Sequence, residues 1–222
     1  MITKVSWFEK NIVIAYLLLI VATAFNPLSR SLWIIENSIA LLLLGILVLI
    51  RLHGFIWSYT AIIIVIIACI MQTIGGYYTF LEVPYGEDLT LFGENGRNNF
   101  DRLGHFWCGM LAFPIFEYVV KKKIIRGKIY SYLFIVLFCS GIGAIYEQIE
   151  WGIVNIVEYS TGLTYIAKQG DEWDPQIDMF CCTVGSIIGI ILFEIIRVLK
   201  IYLKKYKEKK TNERCGSWKI NY

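Results

Sequence analysis

Charge is scarce in this chain. Only 18% of its 222 residues are Asp, Glu, Lys or Arg, against 57% hydrophobic, and the mean hydropathy is +0.58. A sizeable soluble domain is excluded, because apolar runs approaching twenty residues recur along the chain and about 20 apolar residues make one membrane-spanning helix. Histidine is scarcer still, with only His53 and His105. A disulfide framework is excluded as well. Cys69, Cys108, Cys139, Cys181 and Cys182 lie inside apolar stretches and Cys215 in a basic tail, so none falls in the loops assigned below to the outer face. They read as small apolar packing residues. The opening stretch "MITKVSWFEKNIVIAYLLLIVATAFNP" lacks an A-x-A-like cleavage site and reads as a first helix rather than a signal peptide. No internal repeat is visible, and low-complexity sequence is confined to the lysine-rich tail.

What is there is an all-α, polytopic membrane helix bundle. About six transmembrane helices are expected, over 8–27, 32–50, 55–75, 103–120, 129–156 and 177–199. Pro27, Gly54, the loop around Pro84 and Gly86, and Gly127 punctuate them. Residues 1–200 thus form the transmembrane domain and 201–222 a basic tail. Orientation follows from counting basic residues. "KKKIIRGK", the tail from Arg197, the N-terminus and Arg51 hold 17 of the 21, leaving Arg30, Arg97, Arg102 and Lys168 on the other side. The positive-inside rule then puts both termini in the cytoplasm. The pI of about 8.4 reflects this bias, so the partner expected is the lipid bilayer and not nucleic acid. Of the 18 acidic residues, 13 fall on the opposite, outer side: Glu36, Glu82, Glu87, Asp88, Glu94, Asp101, Glu147, Glu150, Glu158, Asp171, Glu172, Asp174 and Asp178.

Three stretches converge on that acidic face. In "RNNFDRLGHFWCG", Asp101 and His105 are four apart and share one side of an entering helix. In "IYEQIEWG", Glu147 and Glu150 share a face, with Trp151 beside them. A charge at the bilayer centre costs about 2.5–3.5 kcal/mol, so the pair should face the bundle interior or a wet cavity. The fifth helix, too long to be all membrane core, emerges there or lines the bundle. In "KQGDEWDPQIDMF", Asp171 and Asp174 precede the sixth helix, Pro175 suits its first position, and Asp178 follows one turn on.

Each element also has a plainer reading. Asp101 and Asp174 serve as helix caps, His105 as an interfacial histidine, and Arg97, Arg102 and Lys168 as partners in an ion-pair network. Glu36 either snorkels or joins the cluster, while Glu117 and Glu194, near the cytoplasmic ends, snorkel. His53 sits at the inner interface, and "GGYYTF" fits an aromatic belt. Gly185 and Gly189 allow close helix packing. The tail "KKYKEKK" lies against anionic headgroups.

In this order, "GYYTFLEVPYG", "RNNFDRLGHFWCG", "YEQIEW" and "QGDEWDPQIDMF" resemble the YjdF family of bacterial inner-membrane proteins over roughly residues 30 to 195. A weaker similarity is to VanZ-like proteins, in which Arg102 stands at a lysine position and Glu150 at a glutamine position. The resemblance implies the six-helix layout, a bacterial plasma-membrane location and the motif set, and supplies no reaction.

Three classes of function remain open. The first is an outward-facing polar site for a divalent cation or an envelope lipid headgroup. Glu147, Glu150, Asp174, Asp178 and His105 are its candidate ligands, and His105, Asp101 and Glu150 its candidate catalytic groups. Mostly oxygen donors suit Mg²⁺, Mn²⁺ or Ca²⁺, and a single histidine makes structural zinc a poor fit. The second is a proton- or ion-coupled transporter, which should also offer polar groups in the inner half. The third is a non-catalytic membrane scaffold, in which neutralising Glu147 and Glu150 lowers stability alone.

Overall fold

Ser6 starts the first helix. Its hydroxyl accepts from the Glu9 amide (3.1 Å) while the Glu9 carboxylate accepts from the Ser6 amide (2.6 Å), satisfying two orphan donors reciprocally. From there the chain runs through α1 (Trp7–Thr23), α2 (Arg30–Leu52) and α3 (Tyr59–Tyr78) to two short 3-10 turns. It continues through α4 (Phe100–Met110), α5 (Ala112–Lys122), α6 (Lys128–Val154) and α7 (Asp174–Ser217). The computed structural model describes residues 5–92, 96–155, 169 and 171–217, so Glu94, Glu158 and Lys168, named above for their charge, lie outside the described residues. Within these, no strand occurs.

Five helices are long and apolar enough to cross a membrane: α2, α3, α4 with α5, α6 and α7. The 17 residues of α1 span about 26 Å, at the short end of what crosses a bilayer. The expected layout of six apolar helices is therefore present. Ser58 begins α3 four residues later than expected, because its hydroxyl caps the Ala61 amide. The fourth span is not one helix. Pro114 has no amide to donate to Met110, and its ring crowds that carbonyl, so the helix breaks at Leu111. The 44 residues of α7 reach about 66 Å, twice the membrane core, and carry the basic tail on as helix.

Two kinds of contact set the helix positions. Tyr16 of α1, Thr73 of α3 and Asn37 of α2 form a buried chain of hydrogen bonds at 3.0 and 2.9 Å. The crossing of α4 with α7 is backbone against backbone instead. A Cβ on Gly109 would meet the Cys182 carbonyl, one on Gly185 the Phe106 carbonyl, and one on Gly189 the Met110 oxygen at 3.1 Å. The small-residue pair thus acts in packing, as expected.

Because the helices alternate in direction, the basic ends gather on one side. Glu9 pairs there with Arg51 at 2.7 Å, and Glu194 with Lys128 and Arg197. Glu117 does not snorkel. It is buried and accepts from the Ser58 amide (3.1 Å) and hydroxyl (2.9 Å), because the first amides of α3 need an acceptor. Leu18, Leu42, Leu137 and Ile188 are exposed on the outside of the bundle.

Candidate functional site

The entry to α4 is pinned by an asparagine. Asn98 donates its side-chain amide to the carbonyls of Leu81 (2.9 Å) and Val83 (2.8 Å) and accepts from the Phe100 amide (3.2 Å). Its backbone makes a reciprocal pair with the Gln169 side chain, at 3.0 and 2.9 Å. Asp101 is thereby relieved of any capping duty. It lies in the first turn of α4, buried, with its carboxylate near His105.

The polar residues form two layers. In the outer one, Arg102 donates to Asp171 (2.5 Å) and Asp174 (3.3 Å) through Nη2 and to the Phe92 carbonyl (3.2 Å) through Nη1. Arg97 pairs with Asp174 and lies 3.8 Å from Asp171. Asp174 is the first residue of α7 and 1% exposed. Its carboxylate is taken up by the two arginines, so it does not cap the helix. The turn before α7 is held instead by Asp171, which accepts from the Trp173 amide at 2.8 Å. That amide and the Arg102 guanidinium hold the Asp171 carboxyl below its ordinary pKa. The expected ion-pair network is thus real for Arg97 and Arg102.

One turn deeper lies the inner layer. Asp178 follows Asp174 by four residues and so comes from the face of α7 that carries the outer aspartate, while Asp101 and His105, also four apart, share a face of α4. Asp101, His105 and Asp178 each bring one ligand atom into a group within 4.8 Å of one another. His105 Nε2 stands 3.1 Å from Glu147 Oε1 and 3.8 Å from Asp101 Oδ1. Among the described residues, His105 Nδ1 and Asp178 Oδ1 are buried without a hydrogen-bond partner. Glu150 is buried too, and its charge interacts with those of Asp101, Glu147, Glu36 and Asp178. Glu36 has joined the cluster, 1% exposed, accepting from the Tyr146 hydroxyl at 3.0 Å. Trp151 is not beside the carboxylates but exposed on the outside of α6.

Five carboxylates, those of Glu36, Asp101, Glu147, Glu150 and Asp178, are buried in this layer with one imidazole. Such burial is costly without compensating positive charge. A cavity of about 10 Å³ lies against Gln72, Asp101, Gly104, His105, Cys108 and Tyr146, about the space one water occupies. Tyr146 escaped the sequence reading although it precedes Glu147 directly. Its ring stands edge-on to His105, with centroids 5.4 Å apart, and an aromatic in an apolar helix gives no signal of such a role.

The family model described as "Predicted membrane protein (DUF2238)" matches residues 8–198, a range that includes every residue of both layers. Inner membrane protein YjdF of Escherichia coli (strain K12) is similar, with 26% identity over 175 residues, 78% of this chain and 83% of that protein. No solved structure matches the chain.

Proposed function

The chain belongs to the DUF2238 family of membrane proteins, and on that premise we propose that its inner layer binds a divalent cation. Asp101, His105 and Asp178 are the ligands, Glu147 orients the imidazole, and Glu150 and Glu36 surround them. The observation that carries this reading is the convergence of three ligand atoms within 4.8 Å, two of those side chains having buried atoms without a partner. Two carboxylates and one imidazole suit Mg²⁺, Mn²⁺ or Ca²⁺. Three protein ligands leave positions open on such an ion, where water or the phosphate of an envelope lipid headgroup can bind. Water activated there, with Glu150 as the nearby base, would be the hydrolytic form of the site.

The similarity to an inner-membrane protein of Escherichia coli supports a plasma-membrane location. The basic-residue count supports cytoplasmic termini, with residues 201–222 as a basic cytoplasmic tail. A transport path has less support: among the described residues, no buried acidic or basic side chain lies between the inner layer and Glu117. Metal analysis of the purified protein, with thermal shifts on adding Mg²⁺, Mn²⁺ or Ca²⁺, tests the proposal. No retained metal together with no shift rejects it.

A further inference from the structure

Two cavities meet at Ile50 and Tyr118 near the basic end of the bundle. The larger, about 570 Å³, is an apolar groove between α2 and α6, with Val65 and Ala68 of α3 and Pro114 of α5 among its lining. Its lips are exposed apolar side chains, Leu42 and Ile46 on one side and Phe138 and Ile142 on the other. The smaller, about 340 Å³, is lined by His53, Phe55 and Lys122.

We propose that one phospholipid with an anionic head, drawn from the leaflet at the basic end, occupies both cavities. Its phosphate sits against Lys122 and His53, and one acyl chain runs up the groove between α2 and α6. Three observations select this occupant. The groove is apolar and opens sideways between spanning helices, where the adjoining medium is hydrocarbon and an apolar cavity stays dry. Its length fits one leaflet: Ile39 and Ile50, both in the wall, are separated by about 16 Å along α2, and half the membrane core is about 15 Å. Its mouth carries the matching charge. Lys121 is occupied by Glu117 at 2.6 Å and the Ile56 carbonyl at 3.0 Å. Lys122 is exposed, makes no ion pair among the described residues, and stands 6.0 Å from the Phe55 ring centroid.

The far end of the groove has a consequence for the inner layer. Gln72, Gly104, Cys108 and Tyr146 line both the groove and the small cavity beside His105. A chain in the groove therefore seals the cluster from the membrane interior. The inference does not depend on the cation.

The test uses the full-length protein in mild detergent, with phosphatidylglycerol and phosphatidylcholine of identical chains and retained lipid read by native mass spectrometry. One phosphatidylglycerol should be retained in preference to phosphatidylcholine. The double variant Lys122→Gln, His53→Gln should weaken that retention about fivefold, to the phosphatidylcholine level. Ile46→Trp, on the exposed lip, should fill the groove and reduce both lipids alike while leaving divalent-ion content unchanged. Equal retention of the two lipids by the unmodified protein overturns the headgroup assignment. Full occupancy in Ile46→Trp overturns the groove.

Discussion

The Nε2 atom of His105 lies 3.1 Å from Oε1 of Glu147, and that oxygen receives no hydrogen bond. The two stand in contact across the α4–α6 gap without the alignment of a donor on an acceptor. On the cation reading Glu147 orients the ring and Asp178 binds the ion. Asp178→Asn should therefore abolish metal-dependent stabilisation, which for a ligand at a hundred times its Kd amounts to about 2.7 kcal/mol. Glu147→Gln should weaken metal retention about 10- to 100-fold, the usual cost of losing an orienting partner. Both are read from thermal shifts with and without Mn²⁺, and unchanged shifts in both variants would contradict the ligand assignment.

The outer layer should answer differently. Arg102→Ala leaves Asp174 buried against Arg97 alone, and breaking a buried pair costs about 3–5 kcal/mol. The variant should melt well below the unmodified protein, equally in Mn²⁺ and in chelator. A loss of stability confined to the metal-loaded form would merge the two layers into one site.

Acid should weaken the same layer through Asp171. Its carboxyl is held below its ordinary value, first by the Trp173 amide and then by Arg102. A carboxyl depressed in the folded state contributes stability above its unfolded pKa and loses it as pH falls through the folded one. The loss therefore falls below about pH 4, from the unperturbed aspartate value. Asp171→Asn should flatten that limb of the melting-temperature profile, while leaving the profile above pH 5 parallel to that of the unmodified protein.

Glycine substitutions should separate the α4–α7 crossing from the rest of the bundle. Gly109→Ala and Gly185→Ala drive a methyl group into a facing carbonyl, overpacking that costs about 1–3 kcal/mol or more. Gly141→Ala, with nothing within 4 Å of the new carbon, should be tolerated. Melting temperatures of the three in one detergent decide it, and equal values would mean the crossing is not tight.

The spans were legible because length and apolarity are written residue by residue, and Pro114 announced the break at Leu111 to any reader who weighed its missing amide. The convergence of Asp101, His105, Glu147 and Asp178 was also within reach, since charged groups in apolar helices must turn inward. The division into two layers was not. The i to i+4 spacing puts Asp101 with His105 and Asp174 with Asp178, but it does not say which turn of α4 faces which turn of α7. That register is set by the Gly109 and Gly185 contacts, close backbone approaches that the spacing of the charged residues does not reveal. Glu117 departs from the expectation because snorkelling supposes that its only outlet is water. The free amide of Ser58, on another helix, lay 59 residues away.

The same glycine contacts bear on how the protein experiences its bilayer. Helices meet a thicker or thinner membrane by tilting, and side chains between them yield as they do. Where α4 and α7 cross, no side chain intervenes between Gly109 and Cys182 or between Gly185 and Phe106. Those two helices must lean together as one rigid body. Asp101, His105 and Asp178 ride on that body, so their separations are insulated from membrane thickness, whereas Glu147 and Glu150, carried on α6, and Glu36, carried on α2, are the members of the cluster that thickness can move.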